Sequence, residues 1–79
     1  MKSVHISLDS IEKVKTFVNT LTKFECEFDL ISDRYRIDAR SIMGIYSLDL
    51  SKPLQLDIHE EDNVVANIIE GLKDFIVQA

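Results

Sequence analysis

Between Phe24 and Arg40 the chain alternates apolar and charged residues along two short runs, and the alternation breaks once, at Ser32-Asp33. A period of two belongs to a strand with one wet and one dry face, so this stretch reads as a β-hairpin whose dry face must be covered. Phe24, Cys26, Phe28 and Leu30 make the dry face of the first run, against Glu25, Glu27 and Asp29. Tyr35, Ile37 and Ala39 make that of the second, against Arg34, Arg36, Asp38 and Arg40. Asp33 tolerates the left-handed conformation that a tight turn requires. The outward charges have opposite signs, so Glu25, Glu27 and Asp29 are expected to pair with Arg34, Arg36 and Arg40. Each exposed pair contributes only about 0.2–1 kcal/mol, which makes register their main effect.

The cover comes from segments with a different period. Val4, Ile6 and Leu8 alternate as a first strand, and Leu54, Leu56 and Ile58 as a fourth. Between them, Ile11, Val14, Phe17, Val18 and Leu21 recur at spacings of three and four, as one face of an amphipathic helix does. Asp9-Ser10-Ile11-Glu12 has the form of a capping box, with Asp9 as cap and Glu12 reaching back. Residues Ser41 to Leu48 form a short helix. Glu60-Glu61-Asp62-Asn63 suits the start of a last helix with Val65, Ile68, Ile69, Leu72, Phe75 and Ile76 on one stripe. Gly71 within that helix is expected to permit close packing. The order βαββαβα gives an α+β, two-layer sandwich, a four-stranded antiparallel sheet covered by three helices.

So short a chain, 79 residues, holds one core, and residues 1–79 are expected to be a single domain. A net charge of −5 argues against nucleic acid, which needs a basic footprint, and leaves room for a protein partner with a positive face. No stretch approaches the roughly 20 apolar residues that span a bilayer, and the start lacks a signal-peptide core, so no membrane insertion is expected. The lone Cys26 is expected to be a buried packing residue, and a cytoplasmic location follows from the absence of disulfides. Neither a glycine-rich phosphate loop nor a paired-cysteine motif nor a nucleophile–base arrangement is present, and no cofactor or metal is expected. His5 and His59 fall at outward strand positions.

The segment Ala39-Arg40-Ser41-Ile42-Met43-Gly44-Ile45-Tyr46-Ser47-Leu48 places a hydroxyl where a strand gives way to a short helix. Its run Arg40 to Ile45, with Ser47-Leu48, closely resembles the regulatory-serine segment of the histidine-containing phosphocarrier protein (HPr) of the bacterial sugar phosphotransferase system. Chain length and element order agree with that family, whose fold is an open-faced sandwich of four antiparallel strands with three helices on one side. The resemblance implies that Ser41 is a phosphorylation site, which is compatible with a role as helix cap. It also implies that Arg40, Ile42, Met43, Ile45, Tyr46, Ser47 and Leu48 contribute to partner binding.

Counting back from Ser41 without gaps puts Ser10 where that family carries its phosphorylated histidine. Ile11, Glu12 and Lys13 then replace its alanine, arginine and proline. Ser10 would form a phosphoester that does not transfer readily, and Glu12 would repel a phosphate. The chain is thus similar to the histidine-less branch, the catabolite-repression HPr-like proteins, and no catalytic residue is expected. The resemblance implies a regulatory protein-binding module whose partners are an HPr-type serine kinase, a transcription regulator or phosphotransferase-system proteins. The alternatives are an unmodified docking scaffold and a phosphocarrier that uses a different residue.

Overall fold

The computed structural model describes residues 2–77. Eight elements follow one another: β1 (Lys2–Ile6), α1 (Ile11–Leu21), β2 (Glu27–Ser32), β3 (Tyr35–Asp38), α2 (Ile42–Tyr46), β4 (Leu54–His59), α3 (Asp62–Leu72) and β5 (Ile76–Val77). The strands make one antiparallel sheet in the order β3-β2-β4-β1-β5. Sequence alternation places β4 correctly, because Leu54, Leu56 and Ile58 are all buried while Gln55 and His59 are not. Asp33 adopts φ 54° at the β2–β3 turn, the left-handed conformation expected of it.

The sheet has five strands where four were expected. The apolar spacing expects Phe75 and Ile76 on the stripe of the last helix, but that helix ends at Leu72. The Phe75 amide donates to Leu72 O at 2.9 Å and the Ser7 amide to Phe75 O at 2.9 Å, which turns the chain back along β1. Ile76 then stands opposite Ile6 and Val77 opposite His5. Branching at Cβ suits both residues to a strand, and spacing alone cannot tell the end of a helical stripe from a short strand.

The start of α1 also differs by one residue. Its cap is Ser10, whose Oγ accepts from the Lys13 amide at 3.1 Å. Asp9 is instead an ion-pair partner of Lys13, with Nζ to Oδ1 at 3.1 Å. Shifting the cap by one puts Lys13 where a capping box needs Glu or Gln, so the reciprocal bond expected from Glu12 is not made among the described residues. Ile11, assigned to the buried stripe, is 63% exposed at the helix's first position. The strand β2 begins at Glu27 and not at Phe24, because Lys23 and Phe24 donate back to Thr20 O and Leu21 O and prolong the helix end as a turn.

The core lies between the sheet and the helices. Val14, Phe17 and Leu21 of α1, Ile45 of α2, and Ile68 and Leu72 of α3 are fully buried against Ile6, Phe28, Leu30, Leu56 and Ile58. The Phe17 and Phe75 rings meet edge to face with centroids 5.6 Å apart. Val4, Cys26, Ile37 and Ile69 pack against this core but remain half-buried. Gly71 is not a close-packing site, since a Cβ there would stand 3.6 Å from Phe24 Cζ, an ordinary contact.

The opposite face of the sheet is polar and knits four strands together. Asp57 in its middle is only 2% exposed, although its position is outward. Its Oδ1 accepts from Ser3 Oγ at 2.6 Å and Gln55 Nε2 at 2.9 Å, and its Oδ2 lies 3.4 Å from Arg36 Nη2. Arg36 Nη1 and His59 Nε2 both reach Asp29 Oδ2 at 2.8 Å. Of the expected hairpin ion pairs only Asp29–Arg36 forms. The register sets Asp29 opposite Asp38 and Arg36 opposite Ile31, so this pair is diagonal. Glu27 faces His59 across β4, and Arg40 turns to Asp38.

Candidate functional site

The strand β3 ends where the Ala39 amide donates to Phe28 O at 3.0 Å and the Ala39 side chain enters the core. With Ala39 anchored, Arg40 and Ser41 are left exposed at the turn into α2. Asp38 shapes that turn: its Oδ1 accepts from the Arg40 amide at 2.9 Å, and its carbonyl accepts from the Ser41 amide at 3.0 Å. Ser41 has φ −87° and ψ 99° and caps α2, with Oγ accepting from the Gly44 amide at 3.2 Å. The Ile45 amide donates to Ser41 O at 2.9 Å, closing the first helical turn.

Gly44 sits at a close approach. A Cβ at this position would lie 3.1 Å from both Ile37 Cδ1 and Ser41 Oγ, so a side chain there presses on the capping hydroxyl and on the sheet together. No sequence signal marks this contact, because it exists only once α2 folds back onto β3.

The expected partner-binding residues divide. Met43 is 79% exposed, and Ile42 and Tyr46 are exposed beside it, so α2 presents three large apolar side chains to solvent. Such a patch on a small protein is available for contact. Arg40 and Ser47 are exposed as well, the latter closing α2 by donating from Oγ to Gly44 O. Ile45 is fully buried, however, and Leu48 is half-buried against the core. Five residues make little more than one turn, so α2 must sink one side chain to be held at all, and Ile45 is that anchor. It is removed from the set that can touch a partner.

Ser10 caps α1 at an exposed position, next to the Asp9–Lys13 ion pair and the exposed Ile11. A shallow cleft of about 410 Å³ is lined there by Ser10, Glu12, Lys13, Thr16, Asp74 and Phe75. The charges around it are mixed, two carboxylates against one ammonium. The chain has two histidines, and both His5 and His59 project from the sheet face that the helices leave uncovered, opposite Gln55 and Glu27. Burial, reinforced by the Glu60 charge and opposed by Arg40, raises the Cys26 thiol above its ordinary pKa, which keeps it a neutral packing group. Among the described residues no three His, Cys, Asp or Glu side chains gather as metal ligands, and no helix is long and apolar enough to cross a membrane.

An open-faced antiparallel sheet with three helices on one side, and a capped serine opening the short second helix, is the architecture of a small phosphocarrier. The family model for "PTS HPr component phosphorylation site" matches residues 12–78. HPr-C-His from Thermoanaerobacter tengcongensis superposes with a TM-score of 0.74 at 30% identity, over 94% of this chain and 89% of that one. Phosphocarrier protein HPr from Bacillus anthracis str. Ames superposes at 0.69 with 23% identity, over 96% and 94% of the two chains. A Mycoplasma histidine-containing phosphocarrier protein superposes at 0.68 with 14% identity, over 98% of each chain. No curated protein sequence matches this one. The chain belongs to the HPr family of the sugar phosphotransferase system.

Proposed function

We propose that this chain is a histidine-less HPr-family protein, a single regulatory domain that binds protein partners through α2 and is switched by phosphorylation of Ser41. The observation that carries the reading is Ser10-Ile11-Glu12-Lys13 at the opening of α1. A phosphoryl carrier of this family needs an imidazole there and a cation to steady the bound group. Here the position holds a hydroxyl engaged in capping, Glu12 brings negative charge, and Lys13 is drawn to Asp9. The partners are phosphotransferase-system proteins, an HPr-type serine kinase and a transcription regulator that reads the modified form, all within the cytoplasm. Arg40, Ile42, Met43, Tyr46 and Ser47 form the exposed surface available to them.

Two incubations test this. With phosphoenolpyruvate and the general enzyme of the phosphotransferase system, the protein should gain no acid-labile phosphate; a labelled product would establish a carrier using another residue. With ATP and an HPr-type kinase it should gain one phosphate, mapped by mass spectrometry to Ser41. Phosphate on Ser47 alone, or none, defeats the switch and leaves the unmodified docking scaffold.

A further inference from the structure

We infer that Asp38 holds Arg40 in reserve as an intramolecular ligand for a phosphate on Ser41, so that modification exchanges one anion partner of Arg40 for another. The inference rests on the reading of Ser41 as the modified residue. Its own basis is the geometry of the turn. The Arg40 side chain meets Asp38 Oδ1 through Nε alone, at 3.6 Å, and that same oxygen already accepts the Arg40 amide at 2.9 Å. Neither terminal guanidinium nitrogen bonds to any described residue, so the two-pronged end that best fits an oxyanion is unused. Both side chains are well exposed, so the existing pair is weak and exchange is easy.

A side-chain cation matters here because α2 supplies little of its own. Five residues align barely one turn of peptide dipoles, and the Gly44 amide, which donates to the capping Ser41 Oγ, would have to be shared with the new group. Arg40 is the adjacent residue in the chain, and the buried Ala39 on its other side fixes the backbone from which it swings. Asp38 acts in two ways. Its backbone and amide contacts build the turn, and its carboxylate competes with the phosphate for Arg40 and repels it. An amide at position 38 keeps the acceptor for the Arg40 N–H and removes the competition. Asp38 is therefore a positioning residue that sets how strongly the modified serine is neutralised and how much negative charge a partner meets.

The test uses the full-length chain assembled chemically with phosphoserine at position 41, which makes it independent of any kinase. The second ionisation of a phosphoserine lies near pH 6 and is followed in each variant by phosphorus NMR. Arg40→Gln should raise that pKa by about 0.2–0.7 of a unit relative to wild type, as loss of an exposed charge pair implies. Asp38→Asn should lower it by a similar amount, and by more in the presence of Arg40 than in the Arg40→Gln background, where only direct repulsion is relieved. An Arg40→Gln titration superimposable on wild type overturns the inference, and so does an Asp38→Asn titration that does not move. Failure of a kinase to modify Ser41 would instead strike the proposed function and leave this measurement unaffected.

Discussion

Two glycines lie inside helices of this protein, and the structure predicts opposite outcomes for replacing them. Gly71 is exposed near the end of α3, and the chain has no glycine at positive φ. It therefore gains nothing from lacking a Cβ, while its freedom in the unfolded chain costs about 0.5–1 kcal/mol relative to alanine. The new methyl of Gly71→Ala would sit 3.6 Å from Phe24 Cζ and 3.9 Å from Thr20 Cγ2, contacts that add packing without strain. Stability should rise by about 0.5–1 kcal/mol, and the thermal midpoint by roughly 2–8 °C for a domain of this size. In Gly44→Ala the same propensity gain is available, but the methyl would stand 3.1 Å from both Ile37 Cδ1 and Ser41 Oγ. Relief requires Ser41 Oγ and Ile37 Cδ1 each to give by a few tenths of an ångström, which strains a cap contributing about 1 kcal/mol and offsets the propensity gain. That variant should match or fall below wild type. Melting curves by circular dichroism at equal concentration read both changes. A fall in the midpoint of Gly71→Ala, or a rise in that of Gly44→Ala as large as the one at Gly71, would refute the steric argument.

Two other outcomes follow from burial and charge. Asp29 is held below its ordinary pKa chiefly by the hydrogen bond from His59, with Arg36 adding to it; at Asp57 burial acts upward, but Gln55, Ser3, Arg36 and His59 together outweigh it. Lowered folded-state values mean that these carboxylates stabilise the fold above about pH 5 and that this contribution is lost as acid drives the pH through and below the usual carboxylate range. Urea unfolding measured down that range should show stability falling, with a shallower fall in Asp57→Asn. An unchanged slope in that variant would contradict the assignment. Separately, Ile45→Ala should cost about 2–5 kcal/mol, whereas Met43→Ala should stay within about 0.5 kcal/mol of wild type. Equal losses at the two positions in denaturant unfolding would mean that α2 packs through a different face.

The sandwich was legible because its signals are local and redundant. Alternation fixes β4 through Leu54, Leu56 and Ile58, and the stripe Val14, Phe17, Val18, Leu21 fixes α1, each several times over. Errors gathered where one or two residues had to decide. Asp9 and Ser10 are both good caps, and whichever residue is chosen changes only one hydrogen bond, so sequence preference cannot separate them. Ile76-Val77 became a strand because the turn at Phe75 brings it beside His5 and Ile6, a partner found only once the chain is folded. Asp57 has the same origin: it reads as an outward residue, and its burial comes from Ser3, Gln55 and Arg36 converging from two other strands and its own.

In the α2 segment burial separates residues that the sequence presents as one run. Ser41 caps the helix by accepting from the Gly44 amide. Its neighbours make Ile45 look like a contact residue, since a run of apolar side chains in a short helix does not reveal which one is the anchor. Burial separates them: Ile45 and Ala39 hold the segment down from its two ends, and Ser41, Met43 and Tyr46 are displayed between and beyond them. Gly44 couples the halves, because its missing Cβ lets Ile37 approach from beneath while the cap closes above. A surface built this way keeps its shape when one exposed residue changes and loses its anchor when Ile45 does. On the proposed function, partner specificity would vary at positions 42, 43 and 46 while Ser41 keeps its place at the helix start.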